Sequence, residues 1–397
     1  MVPGATDFKL PTNDNTMNKT YYLGLDVHSE KVAIAHALEG SREEATYYGK
    51  CGGSVPNTEV TLRRLARKLE VNFKDLKVCY EAGPTGFVLA RRLIHLGLEC
   101  VVIAPTKTER KPGEKVRTDR RDAKKLAKLF RNGDLTPVYI PPASDEAVRD
   151  VCRARTDAVD DLCRTKFRLK AFLLRNGYRP QGANWSQKYM RYLRELVLAD
   201  PNQKIVLEEY LQAIDTGIER VARLESKMFE LLEEWEWKPV VKALMGFKGF
   251  QEVAAMITIS ELGDLTRFKH PRQLMGFLGL VPSEDTTGTR RRQGAITKCG
   301  NSHARWLLIE SAQAYRSSPK VSAALSKRQE GQSGALKALS WRAQIRLSGR
   351  YRRLKLRGKR ENKVIVAVAR ELCAFIWELH QLMRDALPAS TQTQGNS

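Results

Sequence analysis

The feature that most constrains the fold is a strand–helix–strand series within residues 77–104. A short apolar strand at 77–81 (KVCYE) ends in an acid, and the turn AGPTG leads into a helix at 87–96 and a second strand at 99–104 (ECVVIA). Strands joined through a helix in this way pair in parallel within one sheet. Because open α/β sheets place their sites at the carboxyl ends of strands, Glu81 is a candidate functional residue. The alternative is that Glu81 pairs with a nearby arginine.

A second acid interrupts an apolar strand. Residues 21–37 (YYLGLDVHSEKVAIAHA) predict two β-strands with a turn near Ser29 and Glu30, and apolar residues flank Asp26 on both sides. A buried carboxylate is costly unless it is paired, protonated or bound to a metal ion. Asp26 is therefore a candidate metal ligand, with capping of the following turn as the alternative.

Two further acids begin a helix within residues 116–129 (VRTDRRDAKKLAKL). Asp119 and Asp122 are three residues apart, which places both carboxylates on one helical face. Ten Lys or Arg residues and four acids lie between positions 105 and 128. Carboxylates in such positive surroundings suit a site that holds Mg²⁺ (or Mn²⁺) against a phosphate backbone. The alternative is a solvated amphipathic helix whose acids pair with neighbouring cations.

The charge balance points to a polyanionic partner. The chain has 68 Lys and Arg against 45 Asp and Glu, a net charge of +23, which favours nucleic acid over an anionic membrane surface. We find no apolar run long enough to span a bilayer, no signal peptide and no Walker A motif. Seven scattered cysteines without a C-x-x-C pair predict reduced thiols in a cytoplasmic protein.

From about residue 144 the pattern changes to long helices. Apolar residues at 3-4 spacing run through 148–172 and 207–235, and Arg155, Thr165 and Glu225 are the only breaks. These heptad seams predict a coiled-coil helical hairpin, or alternatively an ordinary helical bundle core. A glycine-bounded turn at 244–250 (LMGFKGF) follows and resembles a helix-hairpin-helix element.

Basic side chains concentrate in the last third of the chain. Three glycines bracket a run of arginines at 290–292 and Lys298, which predicts a mobile basic loop ahead of a helix capped by Asn301 or Ser302. Such a loop could approach a phosphodiester closely, either to assist covalent chemistry or only to bind phosphate. Residues 342–363 add ten cations and one acid.

The acidic motifs resemble those of a known family. GLDVHSEKVAIA, YEAGPTGF and VRTDRRDAKKLAKL resemble the three motifs of the DEDD transposases of bacterial insertion sequences, the bridge-RNA-guided recombinases of the insertion-sequence one-ten family, to which the Piv DNA invertases are related. The resemblance implies a RuvC-like domain of ribonuclease H fold. It also implies that Asp26, Glu81, Asp119 and Asp122 are catalytic metal ligands.

The carboxy-terminal motifs resemble the same family. GLVPSE, the following hydroxyl–Gly pair, RRRQG and ITK-x-GN are similar to its transposase domain, in which a Ser before the Gly is the nucleophile that links covalently to DNA. Thr287 stands at that position, and its extra methyl group stiffens χ1 and crowds an in-line attack. Ser283 and Ser302 are other hydroxyls nearby, but neither matches the family position. The resemblance further implies target and donor DNA, a structured guide RNA, and a homo-oligomer (dimer or tetramer) with sites shared across protomers.

The sequence therefore predicts an α/β plus α architecture. We divide it into a flexible leader (1–20), a RuvC-like metal-binding domain (21–143), a helical coiled-coil region (144–237), a mainly helical transposase domain (238–320), and a basic helical extension and tail (321–397). The predicted activity is Mg²⁺-dependent DNA strand cleavage and exchange in the bacterial nucleoid, without a membrane. A junction nuclease that activates water and a non-cleaving nucleic-acid-binding protein are the alternatives. The predicted nucleic-acid contacts are Arg117, Arg120, Arg121, Arg290, Arg291, Arg292, Lys298, Arg352 and Arg353.

Overall fold

The computed structural model describes residues 19–105, 118–179, 184–287 and 290–386. The chain forms two compact units, Met1–Ile140 and Pro141–Ser397. The predicted tail from Pro388 and all but two residues of the predicted leader lie outside the described residues. Among the described residues, no helix combines the length and apolar character needed to cross a membrane.

The first unit is a mixed sheet with helices on both faces. Its elements are β1 (Tyr21–Val27), β2 (Lys31–Leu38), β3 (Thr46–Gly52), α1 (Val55–Lys68), β4 (Leu76–Glu81), α2 (Val88–His95), β5 (Glu99–Ile103) and α3 (Asp119–Arg131). The strand order is β3-β2-β1-β4-β5. β4 pairs in parallel with β1 and β5, whereas β1, β2 and β3 pair antiparallel. The predicted β1–β2 hairpin and the parallel β4–β5 pair are confirmed. The edge strand β3 was not predicted from the sequence. Its two glycines and a register shift opposite Ile34 and Ala35 obscure the apolar alternation that marks a strand.

Alternation along the strands separates two cores. Leu23 and Leu25 of β1 pack with the leucines of α1 and α2 on one face. The intervening residues face α3: Gly24 lies against its backbone, and the alanines of β2 pack on Ala123 and Ala127. On β4, the Cys79 thiol donates to the Leu126 carbonyl, 3.7 Å away, so this strand follows the same alternation. Residues two further along β1 and β4 therefore also lie on the α3 face.

Gly24 sets how closely α3 can approach the sheet. A Cβ at this position would lie 2.3 Å from the Ala123 carbonyl oxygen and 2.4 Å from the Ala127 amide nitrogen, so the helix backbone would have to move. We expect Gly24→Ala to lower the free energy of unfolding by about 1–3 kcal/mol, the usual cost of overpacking. Chemical denaturation measures it. Gly83→Ala, whose Cβ meets its nearest atom at 3.9 Å, is the control, and equal stability of the two variants would contradict this packing.

The second unit is mainly helical. Its elements are α4 (Ala143–Arg175), α5 (Gln187–Glu195), α6 (Pro201–Glu234), α7 (Lys238–Met245), α8 (Glu252–Leu262), α9 (Pro271–Phe277), β6 (Pro282–Thr287), β7 (Arg290–Ile296), α10 (Ser302–Ala312), α11 (Ala323–Arg328), α12 (Gly334–Leu356) and α13 (Glu361–Leu382). Helices α7, α8, α10, α12 and α13 contribute to one large apolar core. The predicted glycine-bounded turn lies between α7 and α8.

The predicted helical hairpin corresponds to α4 and α6, which pack along one another. Their contacts run in opposite directions along the two sequences, so the helices are antiparallel. Two of the predicted breaks in the seam pair with each other: the Arg155 guanidinium donates to the Glu225 carboxylate across the hairpin, with Nε 2.9 Å from Oε1. The 3-4 spacing of residues 207–235 also predicts that Ile218 faces the seam, and this prediction is wrong. Its side chain is 45% exposed, because the neighbouring residue Gly217 is the one that packs closely against Leu162 of α4.

The prediction of a mobile basic loop around the arginines at 290–292 is also wrong over residues 290–296, which form strand β7. Residues 282–287 and 290–296 form the antiparallel strands β6 and β7, in which Thr287 pairs with Arg290 and Asp285 with Arg292. β-Branched threonines favour extended backbone, and opposite charges face each other across the strands. This segment is rich in glycine and arginine and has no clear apolar alternation, which is why its sequence suggested a loop.

Candidate functional site

Two predicted side chains, Asp26 and Asp119, and one that was not predicted, His28, meet where β1 ends. Asp26 is the penultimate residue of β1, and Asp119 is the first residue of α3, whose start is fixed by the Thr118 side chain accepting from the Arg121 amide. His28 stands between them, with its Nε2 3.3 Å from Asp26 Oδ2 and 3.9 Å from Asp119 Oδ1. One ligand atom from each of the three lies within 4.8 Å of the others. This grouping can hold a metal ion.

Glu81 and Asp122 lie on the same side of the sheet. Leu25 pairs with Tyr80 in the parallel β1–β4 register, so Asp26 and Glu81 follow as neighbours at the ends of adjacent strands, which lie about 4.8 Å apart. Both are on the α3 face by alternation. Asp122 is one turn into α3, and its charge acts on Asp26. We call Asp26, Glu81, Asp119 and Asp122, together with His28, the acidic site.

Two carboxylates of the acidic site differ in their electrostatic environment: the charge of Asp26 is disfavoured, whereas that of Asp119 is neutralised by lysines. Burial raises the pKa of Asp26, His28 opposes this rise, and the neighbouring charges of Asp122 and Asp119 add to it. The pKa of Asp119 is held far below its usual range by Lys50 and Lys31, whose ammonium nitrogens lie 2.7 and 3.0 Å from Oδ2. An ionised Asp26 therefore lacks the compensation that Asp119 has, which favours a cation beside it.

The roles of His28, Lys31 and Lys50 were not predicted from the sequence. The signal for His28 was its position two residues after Asp26, a spacing that puts side chains of an extended segment on one side. Lys50 depends on register: Asp26 pairs with Ala33 and Ala33 with Lys50, so the three residues form one row across the sheet. That row could not be drawn without β3.

The donor set fits a divalent cation. Carboxylate oxygens are the preferred ligands of Mg²⁺ and Mn²⁺, and His28 Nε2 adds a nitrogen donor. Asp26, Asp119 and His28 would hold the ion, with Glu81 and Asp122 on the same face. Lys31 and Lys50 already neutralise Asp119, so a cation bound there would compete with their ammonium groups.

Thr287 belongs to the other unit. It is the last residue of β6, and its side chain is exposed. Ser283 lies earlier on the same strand, and Ser302 is the first residue of α10. The Thr287 hydroxyl at the end of β6 is therefore open to solvent.

Most of the predicted nucleic-acid contacts are at the surface. Arg117 lies outside the described residues, as do the side chains of Arg290 and Arg291, although their backbones belong to β7. Arg120 is exposed and stacks on Tyr47, with its guanidinium carbon 5.3 Å from the ring centre. The other predicted contacts are exposed on α3, β7, the segment after it and α12: Arg121, Arg292, Lys298, Arg352 and Arg353.

A buried ion-pair network supports the segment after the hairpin. Glu261 of α8 is buried and accepts from Arg153 at 2.7 and 2.9 Å and from the Asn301 amide at 2.6 Å, and its Oε1 lies 3.1 Å from His303 Nδ1. Asn301 also caps α10 by accepting from the Ala304 amide, which confirms the predicted cap. The role of Glu261 was not predicted, because its hydrogen-bond partners lie far from it in the sequence and meet it only in the folded chain.

Glu261 links the stability of this unit to pH. Burial raises its pKa, but hydrogen bonds from His303, Arg153 and Asn301 outweigh burial and lower the pKa from 4.5 to about 2. The stabilisation is therefore complete above pH 4.5 and is lost as the pH falls towards 2. We expect Glu261→Gln to lower the free energy of unfolding by about 2–4 kcal/mol at pH 7, and by less at pH 3.

Urea unfolding at several pH values measures both effects. Glu219→Gln, at an exposed site on α6, is the control and should leave stability within about 0.5 kcal/mol of wild type. A Glu261→Gln deficit that did not shrink in acid would show that the carboxylate charge is not what stabilises the network.

The first unit has the form of a known class of enzyme. A mixed α/β sheet with an acidic and histidine group at the strand ends is consistent with the ribonuclease H-like transposases of DEDD type. This class acts on DNA.

Comparison with known proteins identifies the family. The DEDD transposase family of IS110 matches residues 23–177, and the family described as "Transposase IS116/IS110/IS902 family" matches residues 241–326. The putative transposase y4qE of Sinorhizobium fredii is 40% identical over 359 residues, covering 90% of this chain and 88% of the relative. The transposase for insertion sequence element IS1533 of Leptospira borgpetersenii is 28% identical over 348 residues, covering 87% and 99%. The chain therefore belongs to the IS110 family of insertion-sequence transposases.

Proposed function

We propose that this transposase cleaves and exchanges DNA strands through a divalent-cation-dependent reaction in which the Thr287 hydroxyl becomes covalently linked to DNA. The observation that carries the proposal is the gathering of Asp26, His28 and Asp119 at the end of β1 in a chain of this family. Glu81 and Asp122 on the same face support the inclusion of all four acids.

The carboxylates of the acidic site would bind and orient the cation. Mg²⁺ bound there would neutralise the phosphate and lower the barrier to attack by an oxygen nucleophile. The His28 ring, which bridges Asp26 and Asp119, would fix the separation of these two carboxylates. Lys31 and Lys50 would stay within reach of the substrate phosphate, since their ammonium groups lie at the rim of the site.

The covalent step would use the exposed hydroxyl at the end of β6. Thr287 Oγ1 loses its proton to a base and forms a bond to phosphorus, and the bond from phosphorus to the leaving sugar oxygen breaks. That oxygen takes up a proton and is released as a hydroxyl. Strand exchange is the reverse reaction with a different sugar hydroxyl. The link to Thr287 conserves the energy of the phosphodiester.

The acidic site and Thr287 are carried by different units of the chain. A reaction that uses both requires them to meet on one phosphodiester, within a subunit or between two subunits of a homo-oligomer. We also propose a structured guide RNA as a partner. The net charge of +23 supports binding of more than one polyanion.

Incubation with insertion-sequence-end DNA, the nucleic acid that co-purifies with the protein and Mg²⁺, followed by denaturing electrophoresis, tests the proposal. A protein–DNA adduct that needs the cation is the expected product. Cleavage without an adduct would favour a nuclease that activates water. A gel shift without cleavage would favour a binding protein.

A further inference from the structure

The second unit contains a positively charged cleft. It has a volume of about 940 Å³ and opens between the β6–β7 hairpin on one side and the end of α12 with the first turns of α13 on the other. Five of its lining side chains are cationic, and no acidic side chain is among the lining residues. These cations are Lys298, Arg350, Arg360, Lys363 and Arg370.

Most of this charge is not neutralised within the protein. Arg350 Nε lies 3.2 Å from Glu371, which Arg346 also contacts at 2.9 Å. Within the part of the chain that the structure describes, no carboxylate lies within 4.0 Å of the other four cations. Like charges that line one cleft repel one another, so the cleft favours an anionic occupant with several charges.

The start of α13 adds to this potential. Arg360 is its N-cap residue, and among the residues that the structure describes there is no side-chain cap hydrogen bond at this helix start. Asn362 and Lys363, which line the cleft, belong to this first turn. Free amides at a helix N-terminus carry partial positive charge and bind phosphate.

Five apolar side chains of the cleft are buried or half-buried, whereas Lys298, Arg360 and Lys363 are exposed, so the apolar side chains form its floor and these cations its rim. Leu280, Pro282 and Ile296 line one side and Val366 and Ala367 the other. A duplex presents only its phosphates at such a rim and would leave this floor uncovered. An unpaired strand can place its phosphates on the cations and its sugars and bases on the aliphatic surface.

The cleft is continuous with the hairpin that carries Thr287. Pro282 and Ile296, paired at the base of the hairpin, line the cleft, and Thr287 lies five residues further along β6. Five strand residues span roughly 17 Å. At the rise of about 3.4 Å per nucleotide in B-DNA, that is roughly five nucleotides, and fewer in an extended strand.

From these observations, and resting on the proposed function, we propose that the cleft binds an unpaired segment of the DNA substrate up to about five nucleotides from the bond that Thr287 attacks. The cations hold its backbone and the apolar floor receives its sugars and bases. The cleft thereby fixes the strand on one side of the reacting phosphate.

Binding of a short labelled unpaired DNA to the full chain, followed by fluorescence anisotropy over a range of salt, tests the proposal. Replacing Arg360, Lys363 and Arg370 by Gln should weaken binding by at least about tenfold and reduce the log–log salt slope by about 2, since each contact to a single strand contributes about 0.7. The matched control removes three exposed cations of α4 and α5, Lys170, Lys188 and Arg191, and should change the affinity by less than about threefold. The charge-conserving variant R360K/K363R/R370K should bind like wild type.

Equal losses in the cleft and control variants would overturn the proposal, as would a cleft variant that lost binding to duplex DNA or to RNA but kept binding to unpaired DNA. The same titration in a Thr287→Ala background separates this inference from the proposed function. Binding by the cleft should be unchanged there, so failure of the covalent chemistry and failure of the cleft give different results.

Discussion

Asp26→Asn is expected to abolish DNA strand cleavage while DNA binding remains close to that of wild type. Asn keeps the shape of the side chain but removes the charge that would bind the cation. Loss of a residue that only hydrogen-bonds to a metal ligand costs about 10–100-fold in activity. Loss of a ligand itself should therefore cost at least about 10²–10³-fold. Cleavage on denaturing gels and binding by anisotropy measure the two properties separately.

The same substitution should not destabilise the protein. Burial and the charges of Asp119 and Asp122 disfavour the ionised form of Asp26 and raise its pKa, so a neutral side chain removes an unfavourable interaction. Without divalent cations, the free energy of unfolding of Asp26→Asn should equal or exceed that of wild type. Glu44→Gln, which removes an exposed acid paired with Lys128, is the control and should keep full cleavage. Parallel loss of binding, folding and cleavage in Asp26→Asn would show that the acid is structural.

Thr287→Ala is expected to eliminate the covalent protein–DNA adduct. Ala leaves the β6–β7 backbone pairing with Arg290 intact and removes only the hydroxyl and a methyl group. Thr287→Ser should retain the adduct and form it at an equal or higher rate, because Ser lacks the methyl group that restricts χ1 and crowds the attack. Denaturing electrophoresis of the protein with labelled DNA detects the adduct.

Thr286→Ala is the matched control for the hydroxyl. Thr286 lies on the same hairpin, and its Oγ1 donates to the Glu284 carboxylate, 3.1 Å away. We expect this variant to form the adduct. An adduct of undiminished yield in Thr287→Ala would assign the nucleophile elsewhere, and loss of the adduct in both variants would indicate damage to the hairpin.

Local patterns in the sequence predict most of the first unit. The β1–β2 hairpin, the parallel β4–β5 pair and α3 follow from apolar alternation and helical spacing, which depend on neighbours in the chain. The position of Glu81 at a strand end follows from the same patterns, whereas these patterns placed Asp26 within a strand and the structure places it next to the end of β1. His28, Lys31 and Lys50 were not predicted, because their contribution depends on pairing between strands and on the unpredicted strand β3.

The second unit shows the same division. Heptad spacing predicts α4 and α6, but it does not predict that Arg155 and Glu225 pair across them or that Ile218 faces outward. The β6–β7 hairpin is short and polar, so its strands are stabilised by pairing rather than by an apolar face. Glu261 acquires its three partners only when α4, α8 and α10 meet.

The proposed chemistry depends above all on binding of a divalent cation by the carboxylates at the end of β1 and the start of α3. Electron paramagnetic resonance of Mn²⁺ titrated into the full chain, without nucleic acid, measures this binding directly. We expect a bound ion in wild type and in Glu44→Gln, and its loss when Asp26 and Asp119 are both replaced by Asn. Identical Mn²⁺ binding by wild type and the double variant would contradict it.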